Sequence, residues 1–188
     1  MPAERSAAEV AWTTFEHGFF EGRPIRLAAT ETGLCLVTLP GESFDRWQSV
    51  LRKRIPGAAF AEDAVRMAPY VRELDEYLAG GRKAFAVPTD YRGTPFQMAV
   101  WRELGRIPFG ETRSYSELAA ALGKEAAVRA VGAANGANPM PIVVPCHRLI
   151  GKDGALTGFR GGMRMKEALL RLEGFGDFAA RGHERYRF

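Results

Sequence analysis

Alternating apolar and polar residues predict a β-hairpin in the first third of the chain. Ile25 and Leu27 alternate with polar neighbours in the first strand, residues 31–33 form a turn, and the apolar run 34–39 forms the second strand. A period of two residues is typical of strands that bury one face. The short apolar run at 85–87 predicts a third strand.

Helical spacing of apolar residues predicts two helices after the hairpin. The first begins after Ser43, a typical N-cap residue, and ends before the Pro-Gly pair at 56–57, and the second ends before the glycines at 80–81. Strands followed by helices indicate an α/β lobe over residues 1–88. The apolar helix faces consist of Trp47, Val50 and Leu51 in the first helix and Met67, Tyr70, Val71, Leu74 and Leu78 in the second.

The polar segment 88–94 contains proline and glycine, which predicts a junction to a second lobe at 89–188. This second lobe is predicted to be mostly helical. Thr94 followed by Pro95 is typical of the cap and first turn of a helix. The sequence Ser-Tyr-Ser-Glu at 114–117 is a capping box, which opens a further short helix.

Another short helix follows after a turn at Gly123, running from Glu125 to Asn135, and two such helices make a helix-turn-helix candidate. Residues 126–134 are alanine, glycine and valine, with Arg129 as the one long side chain. Helices that read bases in the major groove carry Asn, Gln or several Arg. Small residues with one Arg favour close approach to a DNA backbone or minor groove, and tight packing against another helix is the alternative.

Composition places the chain among ordinary globular proteins. It has 188 residues, of which 46% are hydrophobic and 26% charged, which excludes a disordered chain. The length fits one domain, or one domain with a smaller lobe. No apolar run has the length of a membrane span or signal peptide, so a cytoplasmic protein without a membrane partner is expected.

The formal net charge of +4 is unevenly distributed. Residues 1–88 hold 11 Lys+Arg and 12 Asp+Glu, whereas residues 89–188 hold 15 and 10. The basic second half is compatible with a polyanionic partner or with a solvated basic surface. The terminal basic residues Arg181, Arg185 and Arg187 have two interpretations: they contact DNA phosphates, or they belong to a frayed tail.

The candidate chemistry lies in the segment 138–150. An apolar run leads through a proline into Cys146 and His147, and the prolines restrict the backbone. An adjacent imidazole can take the thiol proton, which makes Cys146 a candidate nucleophile, and an inert buried cysteine is the alternative. A disulfide between Cys35 and Cys146 is not expected in a reducing compartment.

The motif Pro-Cys-His-Arg at 145–148, preceded by Asn138, resembles the O6-alkylguanine-DNA alkyltransferases, also called methylated-DNA–protein-cysteine methyltransferases. The resemblance spans about residues 92–174. It implies an α+β fold, with a ribonuclease-H-like N-terminal α/β lobe and a mostly helical C-terminal lobe that holds a helix-turn-helix and a buried active-site cysteine. Further matching motifs lie at 109–115, 128–132, 158–162 and 166–174.

The resemblance implies five catalytic residues. Cys146 is the nucleophile and final alkyl acceptor, His147 is a general base that acts through a water, and Glu173 orients the imidazole. Tyr115 rotates a phosphate and donates a proton toward the guanine, and Asn138 tethers the helix-turn-helix to the active-site segment. A helix C-terminus disfavours the carboxylate of Glu173, so a buried partner such as His147 would explain its position.

DNA-binding and pocket residues follow from the same resemblance. Arg129 enters the base stack in place of the extruded nucleotide. Many relatives have a small residue at position 160, so Arg160 is expected to narrow the pocket for bulky alkyl groups, and Phe159 stands where relatives often have tyrosine. The implied DNA-contacting residues are Arg129, Ala127, Ala130, Gly132 and Tyr115, and the implied pocket residues are Val144, Pro145, Phe159 and Arg160.

The implied function is DNA repair in one irreversible turnover. An SN2 step after base flipping would move the alkyl group of O6-methylguanine, or of O4-methylthymine, to Cys146. The implied partner is double-stranded DNA, bound by a monomer in the minor groove without sequence preference. No cofactor is expected, and with only Cys35 and His17 in the N-terminal lobe no zinc is expected either. The alternatives are a sensor of alkylated bases, a helix-turn-helix regulator and a Cys/His hydrolase.

Overall fold

The computed structural model describes residues 8–176 and 178. The chain divides into two units, Met1–Asp75 with Ala86–Arg92 and Glu76–Phe85 with Gly93–Phe188. The domain boundary predicted between residues 88 and 89 stays a prediction. The basic residues Arg181, Arg185 and Arg187 lie outside the described residues.

A four-stranded sheet forms the centre of the first unit. The β1–β2 and β2–β3 pairs are antiparallel, and the β1–β4 pair is parallel. The predicted hairpin is therefore confirmed as β2 and β3. The strands are β1 (Glu9–Phe15), β2 (Ile25–Ala29), β3 (Leu34–Val37) and β4 (Ala59–Glu62), in the spatial order β3-β2-β1-β4.

Two helices accompany the sheet, and both begin at a capping side chain. Helix α1 (Phe44–Arg54) starts at the predicted cap, where the Ser43 hydroxyl accepts a hydrogen bond from the Arg46 N–H at 3.2 Å. Helix α2 (Ala64–Leu78) starts after Asp63, whose carboxylate accepts a hydrogen bond from the Arg66 N–H at 2.9 Å. The apolar core shared by α1 and the sheet contains Val10, Ala28, Cys35, Leu36, Phe44, Leu51 and Ile55.

The strand predicted at 85–87 is wrong. The N–H groups of Ala86 and Val87 donate to the Glu73 carboxylate at 2.7 and 3.1 Å, so a side chain takes the place of a neighbouring strand. The only strand-like pairing here is an isolated bridge between Thr89 and Leu34. An apolar run of three residues does not distinguish a strand from a loop held by a buried carboxylate.

The second unit is mostly helical, as predicted. Both predicted helix starts are confirmed. The hydroxyls of Thr94 and Ser114 each accept a hydrogen bond from the backbone N–H three residues later. The side chains of Gln97 and Glu117 each accept one from the backbone N–H of the cap residue, which completes two capping boxes. A short parallel pair joins β5 to β6. The elements are α3 (Pro95–Leu104), β5 (Arg113–Ser114), α4 (Tyr115–Ala121), α5 (Val128–Gly136), β6 (Leu149–Ile150) and α6 (Met163–Leu172).

The helix predicted to start near Glu125 begins instead with a 3-10 turn over Glu125–Ala127, and α5 follows. Lys124 provides no side-chain cap, and the Ala127 N–H closes the first turn onto the Lys124 carbonyl at 2.8 Å. Without a capping oxygen, a tighter i to i+3 bond satisfies the first free donors of a helix. Helices α3 and α4 both pack against α5, and the indole N–H of Trp101 donates to the Ala134 carbonyl at 2.8 Å.

These elements confirm the α+β class. The first unit pairs a mixed sheet with helices, and the second places α5 between α3 and α4 and leaves part of its surface open. None of the helices in the described part of the chain is long and apolar enough to cross a bilayer.

We expect Gly33→Ala to destabilise the first unit. A Cβ at this position would lie 2.5 Å from the carbonyl oxygen of Pro88, which itself accepts the Leu34 N–H at 2.9 Å. Backbone must move to relieve such a clash, so we expect the free energy of unfolding to fall by about 1–3 kcal/mol. Urea denaturation measures this, and Gly18→Ala is the control because nothing lies within 4 Å of the added methyl group. Equal midpoints for the two variants would contradict the prediction.

Candidate active site

The loop before Cys146 is closed by one asparagine. The Asn138 side chain donates to the Val144 carbonyl and accepts from the Met140 N–H, both at 2.9 Å, and the Val144 N–H bonds the Met140 carbonyl at 2.8 Å. Ile142, inside this loop, has a φ of 76°, which is unusual for a β-branched residue. A 3-10 turn over Cys146–Arg148 follows directly. The thiol is therefore carried on a closed and rigid frame.

Cys146 lines a cavity of about 570 Å³. The side chain itself is nearly buried, with the residue only 5% exposed. Helix α4 contributes Tyr115 to the lining, and α5 contributes Arg129 and Gly132. The segment 157–160 lines another part of the cavity. The cavity therefore brings the thiol together with the exposed face of α5.

The imidazole of His147 is fully buried and bonded to a carboxylate. Its Nε2 lies 2.8 Å from Oε1 of Glu173, which occupies the C-cap of α6, next to Gly174. The pKa of Glu173 is lowered to about 2: burial alone would raise it, but hydrogen bonds from His147, Arg148 and Tyr77 outweigh burial. An ionised carboxylate only accepts hydrogen bonds, so Nε2 carries the imidazole proton and Nδ1 is the basic nitrogen.

Glu173 has further donors that the sequence did not reveal. Arg148 donates to both carboxylate oxygens, with Nη2 2.8 Å from Oε1 and Nε 2.9 Å from Oε2. The Tyr77 hydroxyl donates to Oε1 at 2.5 Å, and the Gly110 N–H donates to Oε2 at 3.1 Å. This set of donors replaces the hydration that the buried carboxylate has lost.

Both members of the Cys146–His147 pair favour their neutral forms. Burial raises the pKa of the Cys146 thiol, although a hydrogen bond from Asn138 and the charges of Arg160 and Lys166 lower it. Burial also lowers the pKa of His147, against the opposite effect of Glu173. His147 Nδ1 is buried and has no hydrogen-bond partner within the described residues. A neutral imidazole with an unused lone pair is a competent base.

A buried lysine lies near the thiol. Lys166 has no exposed surface, and its ammonium donates to the carbonyls of Leu149 and Thr157 at 2.5 and 2.7 Å. Burial lowers the pKa of Lys166 to about 7, while the nearby Cys146 raises it. A cation in this position would stabilise a thiolate once it forms.

Arg160 lies on the cavity and reaches back to the end of α5. Its Nη1 donates to the Asn138 carbonyl at 2.6 Å and lies 3.4 Å from the Gly136 carbonyl. The guanidinium thus links the cavity wall to the residues that follow α5, and it also helps to lower the pKa of Cys146.

The structure brings most of the predicted site residues together. His147, Glu173 and Asn138 are buried and surround the cysteine through the contacts described above. Val144 and Pro145 are buried but do not line the cavity, and neither do Ala127 and Ala130, which lie at the start of α5. The predicted residues that line the cavity are Cys146, Tyr115, Arg129, Gly132, Phe159 and Arg160.

Sequence reasoning did not assign a role in this site to Arg148, Tyr77, Lys166 or Thr157. Lys166 had a detectable signal, because it shares the buried face of α6 with Leu169 and Leu170 at helical spacing. Arg148 directly follows His147 within the Pro-Cys-His-Arg motif, which placed it near the site. Tyr77 and Thr157 carried no local signal.

Neither cysteine is in a disulfide. Cys35 is buried in the first unit, where burial raises the pKa of its thiol to about 12, so it is a poor nucleophile. Within residues 8–176 and 178, no three His, Cys, Asp or Glu side chains cluster as the ligands of a metal would. That the protein uses no metal or cofactor stays a prediction.

Two family models match the chain. The model described as "6-O-methylguanine DNA methyltransferase, ribonuclease-like domain" matches residues 21–91, and "6-O-methylguanine DNA methyltransferase, DNA binding domain" matches residues 95–175. An inducible methylated-DNA–protein-cysteine methyltransferase of Bacillus subtilis is 52% identical over 147 residues, which cover 78% of this chain and 82% of the relative.

Solved structures agree with these matches. The crystal structure of O6-methylguanine methyltransferase from Mycobacterium tuberculosis has a TM-score of 0.74 and 39% identity, over 87% of this chain and 92% of that one. The structure of the Mycobacterium tuberculosis protein in complex with DNA has a TM-score of 0.73 and 39% identity, over 88% and 92%.

Fold and site together define a protein that joins a ribonuclease-like domain to a DNA-binding domain with a cysteine in its cavity. The chain belongs to the methylated-DNA–protein-cysteine methyltransferase family. The family resemblance and the α+β fold, with an N-terminal sheet and a mostly helical C-terminal part, are therefore confirmed, and the helix-turn-helix stays a prediction.

We expect Glu173→Gln to remove part of the acid dependence of stability. The pKa of about 2 in the folded protein lies below the ordinary value of 4.5. The ionised carboxylate therefore contributes its full stabilisation to the fold at pH values above 4.5. This stabilisation is lost as the pH falls through the folded pKa, and it amounts to roughly 3 kcal/mol. The measurement is urea denaturation of wild type and variant near pH 6 and near pH 3.

The gap in stability between wild type and Glu173→Gln should shrink as the pH falls. Glu167→Gln is the control, since Glu167 pairs at 3.1 Å with Arg171 of the same helix, whose side chain is 59% exposed. We expect this change to alter stability by only a few tenths of a kcal/mol at either pH. A gap for Glu173→Gln that stays constant with pH would show that its carboxylate does not have a depressed pKa.

Proposed function

We propose that this protein repairs DNA by transferring the methyl group of O6-methylguanine to Sγ of Cys146. One observation carries the proposal: the cavity that contains the thiol also contains Arg129 and the small residues of α5, while a buried His147–Glu173 pair adjoins the cysteine. The relative from Mycobacterium tuberculosis that was crystallised with DNA supports DNA as the partner. O4-methylthymine as a second substrate belongs to the same proposal.

The reaction begins with a neutral thiol and a neutral imidazole. Nδ1 of His147 accepts the thiol proton through a water, and Glu173 stabilises the imidazolium that forms. Lys166 and Arg160 stabilise the thiolate in a cavity where water screens charge poorly. Because both charges exist only while the reaction proceeds, the resting protein does not bear the full cost of a buried thiolate.

The thiolate then attacks the methyl carbon in an SN2 step. The new S–C bond forms as the C–O6 bond breaks, and the electron pair of that bond leaves with the guanine. Tyr115 donates a proton to the base, which is left as neutral guanine. The Tyr115 phenolate then regains a proton from solvent, and the His147 imidazolium returns to solvent the proton that it took from the thiol, so no net proton is gained or lost. The product on Cys146 is a thioether, which water does not readily hydrolyse, so each molecule acts once.

Base flipping is required because the duplex buries the O6 position of guanine. Extruding a base costs a few kcal/mol, and less when the lesion already weakens pairing. Arg129 is exposed at the start of α5 and lines the cavity, so it can fill the gap left in the stack. The small side chains of α5 allow close approach to the minor groove without reading sequence.

Further parts of the proposal concern the setting of the reaction. We infer a double-stranded substrate, contact by a single copy of the protein and a location in the cytoplasm. These follow from the family resemblance, together with the basic second half of the chain.

Intact-protein mass spectrometry tests the reaction. After incubation with duplex that contains O6-methylguanine, we expect one added methyl group per protein, located on the Cys146 peptide and not on the Cys35 peptide. Cys146→Ala should give no adduct, and Cys35→Ala should react as wild type does, because its thiol lies in the first unit. Tight binding to the lesion without a mass change would favour a sensor, and repeated turnover would favour a hydrolase.

Arg129→Ala should slow repair in duplex much more than reaction with the free base O6-methylguanine. The side chain is needed only where a base must be held out of a stack, so we expect a loss of about 10-fold or more in duplex and little change with the free base. Rates come from the same mass measurement over time. Arg72→Ala, which removes an exposed arginine from α2, is the matched control. Equal losses with both substrates would show that Arg129 does not fill the stack.

A further inference from the structure

Thr157 contacts two functional groups of the site at once. Its Oγ1 donates to the phenol oxygen of Tyr115 at 3.1 Å, and its backbone carbonyl accepts from Nζ of Lys166 at 2.7 Å. Thr157 and Tyr115 both line the cavity that contains Cys146. One residue therefore joins the proposed proton donor to the buried cation near the thiol.

The backbone of Thr157 is firmly held. The Lys166 ammonium that binds its carbonyl is fully buried and also donates to Leu149, so the lysine clamps two segments of the active site together. Leu156, the residue before Thr157, is buried in the apolar cluster with Ile150 and Leu170. A hydroxyl on such a segment can fix the orientation of the phenol that accepts its hydrogen bond.

Tyr115 lies where such a hydroxyl can act on it. It is the first residue of α4, its side chain is half-buried at the cavity, and the cap of that helix is made by Ser114 and Glu117 and not by the phenol. Because Thr157 is the donor, this hydrogen bond uses a lone pair of the phenol oxygen and not its proton. A donated hydrogen bond also polarises the phenolic O–H and makes it a better donor.

We infer that Thr157 is a positioning residue that holds the Tyr115 phenol in place and directs its proton toward the substrate. The inference rests on the proposed function, in which Tyr115 protonates the base. Thr157 itself touches no reacting atom in this role. The hydroxyl is the operative part of the side chain, and its methyl group contributes only to packing.

Thr157→Val, made in the full chain, removes the hydroxyl and keeps the shape. With duplex that contains O6-methylguanine, we expect the maximal rate of methyl transfer to fall roughly 3- to 10-fold, the size expected for one neutral hydrogen bond. The duplex concentration that gives half the maximal rate should stay within about twofold, because the lost bond orients a proton and does not bind DNA. Thr157→Ser, which restores the hydroxyl, should recover most of the rate.

A double-mutant cycle separates positioning of Tyr115 from other effects. In a Tyr115→Phe background the valine substitution should have almost no further effect, since the two changes remove the same interaction. Thr14→Val makes the same chemical change at an exposed position of β1 and controls for the loss of a hydroxyl as such. A serine variant as slow as the valine variant, or multiplicative losses in the double variant, would overturn the inference.

A spectroscopic measurement keeps the inference independent of the reaction. With 3-fluorotyrosine in place of tyrosine, the fluorine resonance of Tyr115 should shift in Thr157→Val and return in Thr157→Ser. An unmoved resonance would overturn the inference even if the rate fell. If wild type forms no methyl adduct while the resonance moves as expected, the proposed function fails and the contact between Thr157 and Tyr115 stands.

Discussion

The candidate site depends on the hydrogen bonds that the buried carboxylate of Glu173 accepts. The carboxylate fixes which nitrogen of His147 is basic, it pairs with Arg148 from the same 3-10 turn as the cysteine, and it accepts from Tyr77. A lone buried carboxylate would be strongly destabilising, so its donors are as necessary as the anion itself. The local geometry of the thiol, the state of the imidazole and the end of α6 are therefore set by one network.

Electrostatics explains how a thiol this deeply buried can be both stable and reactive. Burial favours the neutral forms of Cys146 and His147, while Lys166 and Arg160 supply positive charge for the thiolate that the proposed reaction requires. Preorganised charge of this kind costs no rearrangement at the moment of bond formation. By contrast, burial and the Asp90 carboxylate raise the pKa of the Cys35 thiol to about 12, and Arg92 offsets them only in part, so a thiolate is disfavoured there.

Local patterns in the sequence predicted the parts of the molecule that depend on neighbouring residues. The hairpin, the cap at Thr94, the capping box at Ser114 and the position of Glu173 at a helix end were predictable for this reason. Strands β1 and β4 were missed, since β4 is short and mostly exposed and neither follows clean alternation. Tyr77 and Thr157 could not be found, because their partners lie 96 and 42 residues away along the chain. Cys146 and His147 were candidates from their adjacency alone, and the family resemblance assigned each of them a role.

The left-handed backbone at Ile142 has a consequence for how this protein can evolve. A β-branched residue in that conformation costs about 1–3 kcal/mol, and the Asn138 bonds and the buried surroundings hold the loop against it. Glycine would relieve the strain but would also loosen the segment that carries the thiol. Because Ile142 is fully buried, glycine would also leave a cavity, whose cost of about 2–5 kcal/mol exceeds the strain that it relieves, so an aliphatic residue should persist where the backbone alone would favour glycine.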